Sequence, residues 1–274
     1  MMVVMKLFIY KIYNFFIEFF KPWGFCNSYL IFPCKMFFRR IGIGNKDFYK
    51  ISSIKNIHQN ERCFVIATGP SLKLEDLKKL KNEYTIGVNS IFKMYEHLDW
   101  VPTYYAMIDP TLTENIINNN NVEFDKYAKD KCFFNSLNRK IVDCDKALFF
   151  DVNWLDHIYN YGSKKFKYNQ EIMYGIYDCY SITQMCVLIA IYMGFNEIYL
   201  IGADNNYLGD KQHFASYDGE DKIEYEFALS MQKANDSGYE FVKKIANNNS
   251  VNIYNATRGG NIKCFERVNI DNIL

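Results

Sequence analysis

Short, nearly uninterrupted apolar runs recur from residue 60 onward, each followed by a helical or polar stretch, and this alternation narrows the folds open to the chain. The runs are Arg62–Ala67 (RCFVIA), Tyr84–Val88 (YTIGV), Thr103–Ile108 (TYYAMI), Lys131–Phe134, Ala147–Phe150, Glu197–Ile201 (EIYLI) and Val251–Tyr254 (VNIY). Continuous rather than alternating hydrophobicity marks strands covered on both faces. Helices are predicted near Leu74–Lys81, Ser181–Met193 and Ile223–Ala246, between or after these strands. The alternation predicts an α/β fold, a Rossmann-like open, mainly parallel sheet with helices on both faces. The polar tract Asn115–Asn121 (NIINNNN) is expected to be a surface loop.

With 49% apolar residues and 18% aromatics the chain has ample material for a core, so disorder is excluded. A formal net charge of +1 argues against a nucleic-acid-binding protein, which needs a basic excess to neutralise phosphates. That total hides an uneven spread. Residues 1–40 carry six basic side chains against one acid, Glu18, for a net of +5, and the remainder nets −4. In the same segment Lys11, Asn14, Glu18 and Lys21 fall on one narrow helical stripe, opposite a wide face of Val4, Leu7, Phe8, Ile12, Phe15, Phe16 and Phe19. Charge recurs too often there for a bilayer-spanning helix, and no small-residue cleavage site marks a secretory signal. The pattern fits an interfacial helix lying on an anionic surface, followed by Lys35, Arg39 and Arg40; packing on the domain or on a second subunit is the alternative. The organisation read from sequence is an amphipathic cationic segment over 1–45 and a Rossmann-like domain over 55–274.

The eight cysteines show no CxxC pair and no zinc-ligand spacing, which predicts reduced thiols and a cytoplasmic setting. No metal site is predicted.

In an open α/β sheet, chemistry gathers at the carboxyl ends of strands. The first such end reads ATGPSL. Thr68, Gly69, Pro70 and Ser71 there offer a tight turn, a rigid φ and a hydroxyl beside a helix start, suited to phosphate or to a simple serine cap. The next two ends present Asn89 and Asp109, suited to a base, a ribose or, for Asp109, a metal, or to an Asx-turn. Ser181 and Thr183 open a long apolar helix, where hydroxyls lie beside a positive dipole end. Beyond GFNEIYLIGAD come Asp204, Tyr207 and a loop carrying His213. His58, His97 and His157 have no comparable setting.

ATGPSL, the Asn89 and Asp109 strand ends, and SITQMCVLIAIYMGFNEIYLIGADNNY resemble the bacterial sialyltransferases of glycosyltransferase family 42 and the wider MptE-like group, named after an archaeal hydroxymethylpterin diphosphokinase. The terminal IYNATRGGNIKCFERVNID and the His213-Phe214 pair resemble MptE-like proteins associated with surface-polysaccharide synthesis. The resemblance implies a Rossmann-like domain that binds a cytidine monophosphate (CMP) sugar, with Thr68, Gly69, Ser71, Asn89 and Ser181 contacting the nucleotide. The same resemblance puts Asp109 in the place of a further ligand asparagine and implies that His213 is the general base.

Sugar transfer needs a base for the acceptor hydroxyl and stabilisation of the departing phosphate, from helix-end amides or from Tyr207 and Arg258 if they point inward. A CMP leaving group makes a metal optional, whereas a diphosphokinase needs Mg2+ held by carboxylates such as Asp109 and Asp204. The expectation is a glycosyltransferase, peripherally bound to the inner face of the cytoplasmic membrane, that moves a sugar from a CMP donor to a glycan or glycolipid acceptor. The alternatives are an Mg2+-dependent diphosphotransferase and a non-catalytic nucleotide-binding subunit of polysaccharide assembly. The sequence leaves a homo-oligomer open.

Overall fold

The structure is a computed structural model that describes residues 26–43, 46–119, 122–154, 166–208 and 225–274. The stripe predicted within residues 1–25 and the segment carrying His213 lie outside the described residues. One eight-stranded sheet contains β1 (Arg62–Ile66), β2 (Tyr84–Val88), β3 (Tyr104–Met107), β4 (Lys131–Asn135), β5 (Ala147–Phe150), β8 (Glu197–Ile201), β9 (Asn252–Asn255) and β10 (Glu266–Arg267). Its order is β10-β9-β8-β1-β2-β3-β4-β5, and every ladder is parallel. A separate parallel pair joins β6 (Val152–Asn153) and β7 (Ile176–Tyr177).

The near-continuous apolar strands have the predicted cause. Within β1, Cys63 and Val65 pack under α4 (Ile182–Met193) and α5 (Tyr225–Asn248). Phe64 and Ile66 face the opposite layer, with Leu77 of α2 (Leu74–Lys79), Ile116 of α3 (Pro110–Asn119) and Ile270 of α6 (Ile270–Ile273). Helix α4 is buried on nearly all sides, which explains its unbroken hydrophobicity. Ser181 caps its start by accepting from the Gln184 amide at 3.3 Å, and Gly194 ends it at φ +94°.

One expectation is corrected. Asn115–Asn119 belong to helix α3 rather than to a loop. Pro110 takes the first helical position, the Asp109 carboxylate accepts from the amides of Thr111 at 2.8 Å and Leu112 at 3.0 Å, and Thr113 and Ile116 bury one face. A cap and a buried stripe outweigh the poor helix propensity of the asparagines. Residues 46–54, which fall between the two predicted units, form a 3-10 segment whose Phe48, Ile51 and Ile54 enter the main core.

Helix α1 (Phe32–Arg40) is docked along one side. Phe32 sits 5.5 Å from the Tyr177 ring, and Arg39 donates to Asp151 and to the Tyr174 carbonyl, both at 2.6 Å. Phe37 (59%), Ile41 (55%) and Phe38 (48%) remain exposed beside Lys35.

Candidate functional site

From β1 to β5 the chain builds the sheet in one direction, then returns to lay β8, β9 and β10 on the other side of β1. The strand order therefore reverses between β1 and β8, and an open sheet leaves a crevice at the carboxyl ends where that happens. A cavity of about 480 Å³ lies there. Its walls are the ends of β1 (Thr68, Gly69), β2 (Asn89) and β8 (Gly202 to Tyr207), the start of α4 (Tyr180 to Thr183) and one face of α5 (Met231, Asn235, Tyr239).

Seven of the residues singled out from sequence line this space: Thr68, Gly69, Asn89, Ser181, Thr183, Asp204 and Tyr207. Pro70 is exposed in the turn, and neither Pro70 nor Ser71 is among the lining residues. Ser71 donates its hydroxyl (2.9 Å) and amide (3.1 Å) to Asp204 Oδ2. The donors predicted to meet a phosphate thus already hold a carboxylate of the protein itself. Gly69 closes the same joint: its amide donates to the Gly202 carbonyl at 2.8 Å, and a β-carbon there would lie 2.0 Å from Asp204 Oδ2. Asp204 is also fixed from behind, its carbonyl accepting from the Asn261 amide at 2.7 Å. Asp109 is spent on capping α3 and does not line the cavity. Arg258 points away, held by Asp76 and Asp271.

Backbone strain concentrates around this space. Asn89 (φ +48°), Tyr180 (+80°) and Asn205 (+49°) line it in left-handed conformations, and Cys179 (+51°) adjoins Tyr180. Each costs on the order of 1 kcal/mol or more, and such residues gather where binding geometry must be held. Asn89 Oδ1 and Asn205 Oδ1 are buried there without a hydrogen-bond partner among the described residues.

Sequence reasoning missed the wall supplied by α5. The Tyr239 hydroxyl hydrogen-bonds Ser181 and Thr183, and burial pushes its ionisation up. The buried Asn235 side-chain amide donates to the Tyr207 hydroxyl at 3.0 Å and accepts from Gln184 Nε2 at 3.2 Å. Burial raises the Tyr207 phenol to about 12, with the Asn235 bond opposing it, so the group stays protonated at neutral pH. The missed signal is an asparagine inside the otherwise apolar stripe Ala228, Ala234, Tyr239, Val242, Ala246 of α5.

Among the described lining residues there is one carboxylate, Asp204, and no lysine or arginine. Positive potential comes instead from the start of α4, whose first amides open on the cavity. A cation held by protein groups has little to bind: Oδ2 of Asp204 is already engaged, and no cluster of three ligating side chains exists among the described residues.

A family model described as MptE-like, 6-hydroxymethylpterin diphosphokinase MptE-like, matches residues 43–210. No curated protein matches the chain. Among solved structures, the MAf glycosyltransferase from Magnetospirillum magneticum AMB-1 superposes with a TM-score of 0.49 at 14% identity, over 85% of this chain and 40% of that one. The chain thus spans less than half the length of that protein.

Proposed function

Since the chain belongs to the MptE-like family, we propose that it is a glycosyltransferase using a nucleoside monophosphate sugar, of the CMP-nonulosonate kind. One observation carries this reading. The crevice at the strand-order reversal offers amides, hydroxyls and a helix start but no basic side chain among its described residues. That balance suits one phosphodiester and leaves the charge of a triphosphate uncompensated.

In the proposed step the acceptor oxygen bonds to the anomeric carbon as the bond from that carbon to the phosphate oxygen breaks. The electron pair leaves on CMP, and the acceptor proton passes to His213. Amides at the start of α4 and the protonated Tyr207 hydroxyl face the leaving phosphate. Asp204, by holding Ser71 and abutting Gly69, positions the turn beneath it.

A diphosphotransferase reading is favoured by the description of the family model. Thermal unfolding with CMP, UDP, GDP, ADP and ATP, with and without Mg2+, separates the two. A nucleotide at 100 times its dissociation constant adds about 2.7 kcal/mol of stability. CMP shifting the midpoint without Mg2+ is the expected result. A shift with ATP only when Mg2+ is present transfers the proposal to the second reading, and no shift with any nucleotide ends both. Tight CMP binding without transfer to any glycan would instead mark a non-catalytic nucleotide-binding subunit.

The acceptor is a surface glycan or its lipid-linked precursor, reached at the inner face of the cytoplasmic membrane. The exposed Phe37, Phe38 and Ile41 beside Lys35 support contact with an anionic lipid surface. No described helix is long and apolar enough to cross a membrane. Flotation with phosphatidylglycerol vesicles should recover the protein at low salt, and Phe37→Glu with Phe38→Glu should release it. Equal recovery of the variant would remove this surface from the proposal.

A further inference from the structure

A second cavity, of about 460 Å³, opens on the same edge of the sheet, at the carboxyl ends of β9 and β10. Lys73, Arg258 and Arg267 line it, and no carboxylate does among its described residues. These cations are not equivalent. Arg258 is neutralised by Asp76 and Asp271. Arg267 is pinned by neutral groups: its Nη atoms donate to the carbonyls of Thr257 (2.7 Å), Gly259 (2.9 Å) and Gly260 (3.3 Å). A guanidinium held by carbonyls is oriented without losing its charge, and it stays available to an anion. Lys73 extends from the turn after β1 and makes no ion pair among the described residues. Lys73 and Arg267 therefore leave the rim with an uncompensated positive charge.

The two cavities share a thin wall. A β-carbon on Gly259 would lie 3.6 Å from Asp204 Oδ1, inside the first cavity, and 3.7 Å from Ser71 Cβ. The same glycine's carbonyl holds Arg267 at the second. An anion at the second cavity is then one residue away from the donor site.

We propose that this cavity binds a phosphate group of the acceptor. Its assignment to the acceptor rests on the transfer reading above; the existence of the anion site does not. The phosphate belongs either to a lipid carrier or to a soluble sugar phosphate.

The test is calorimetric titration of the full chain, saturated with CMP, using inorganic phosphate. Phosphate should bind alongside CMP, and Lys73→Gln should weaken it about tenfold, the size of one charge-assisted contact, with CMP affinity unchanged. Lys73 is exposed, so the variant folds; Arg267→Gln should weaken phosphate similarly, and Arg267→Lys should restore part of the affinity. Displacement of phosphate by CMP, or equal affinity in Lys73→Gln, would overturn the site. Failure of CMP itself to bind sinks the transfer reading while the phosphate titration remains readable. Farnesyl phosphate in micelles and glucose 1-phosphate separate the two sources: both should lose affinity in Lys73→Gln, and the tighter of the two in the native chain names the carrier.

Discussion

Replacing Arg258 with alanine should lower the free energy of unfolding by about 3–5 kcal/mol, the range for breaking a buried ion pair from one side. The Arg258 guanidinium donates through Nε and Nη2 to both oxygens of Asp76, each at 2.6 Å, and the Asp76 side chain is only 2% exposed. Alanine leaves that buried carboxylate in the first turn of α2 without its guanidinium partner. Arg258→Lys keeps the charge but not the fork and should recover only part of the loss. Joining Arg258→Ala to Asp76→Asn should recover more, because no buried charge is left alone. Urea unfolding measures all three, and a loss below about 1 kcal/mol for Arg258→Ala would place the pair among solvated surface contacts.

The same arginine, through Asp271, sets an acid limb. Arg258, and after it Lys79, hold the Asp271 carboxyl well below its ordinary range. Because its folded value lies under its unfolded one, the associated stability is present above about pH 4, near the unfolded value, and is lost as pH falls through the lowered folded value. Thermal midpoints of the native chain should therefore fall below about pH 4. In Arg258→Ala that acid slope should be shallower, with Lys79 alone left to face Asp271.

The second large effect is kinetic. His213→Ala should reduce transfer by a factor of about 10² to 10⁴, the usual contribution of a positioned base, while CMP affinity stays unchanged. His213 itself lies outside the described residues, six positions after Tyr207 in the sequence, and Tyr207 lines the cavity. With a base that must be neutral, transfer by the native chain is expected to fall on the acid side, and the variant should lack that limb. Full transfer by His213→Ala would falsify the assignment of the base.

Strand positions were legible because a parallel sheet buries both faces, which leaves runs such as RCFVI and EIYLI unbroken. The short strands β6, β7 and β10 were not, since two residues leave no period to read. Gly69 and Asn89, which line the cavity, were legible as a turn glycine and a compact polar side chain at strand ends. What each residue bonds to was not legible. Nothing local indicates that Ser71 meets Asp204, 133 positions later, or that Arg258 reaches back 182 positions to Asp76. Such pairings follow from topology, and local spacing carries no trace of them.

That topology also dictates when the crevice at the strand-order reversal comes into being. Arg62 in β1 pairs with Glu197 in β8, so one flank of the central strand has no partner until 135 further residues exist. At roughly 5–20 residues per second, synthesis leaves that edge open for roughly 7–27 s. For that time the nascent chain carries RCFVI as an unpaired hydrophobic edge, the condition that invites association with other chains. The two walls of the cavity, at residues 67–69 and 202–207, meet only when β8 docks. The crevice therefore forms all at once, with closure of the sheet, and a chain ending before β8 lacks one of its two walls.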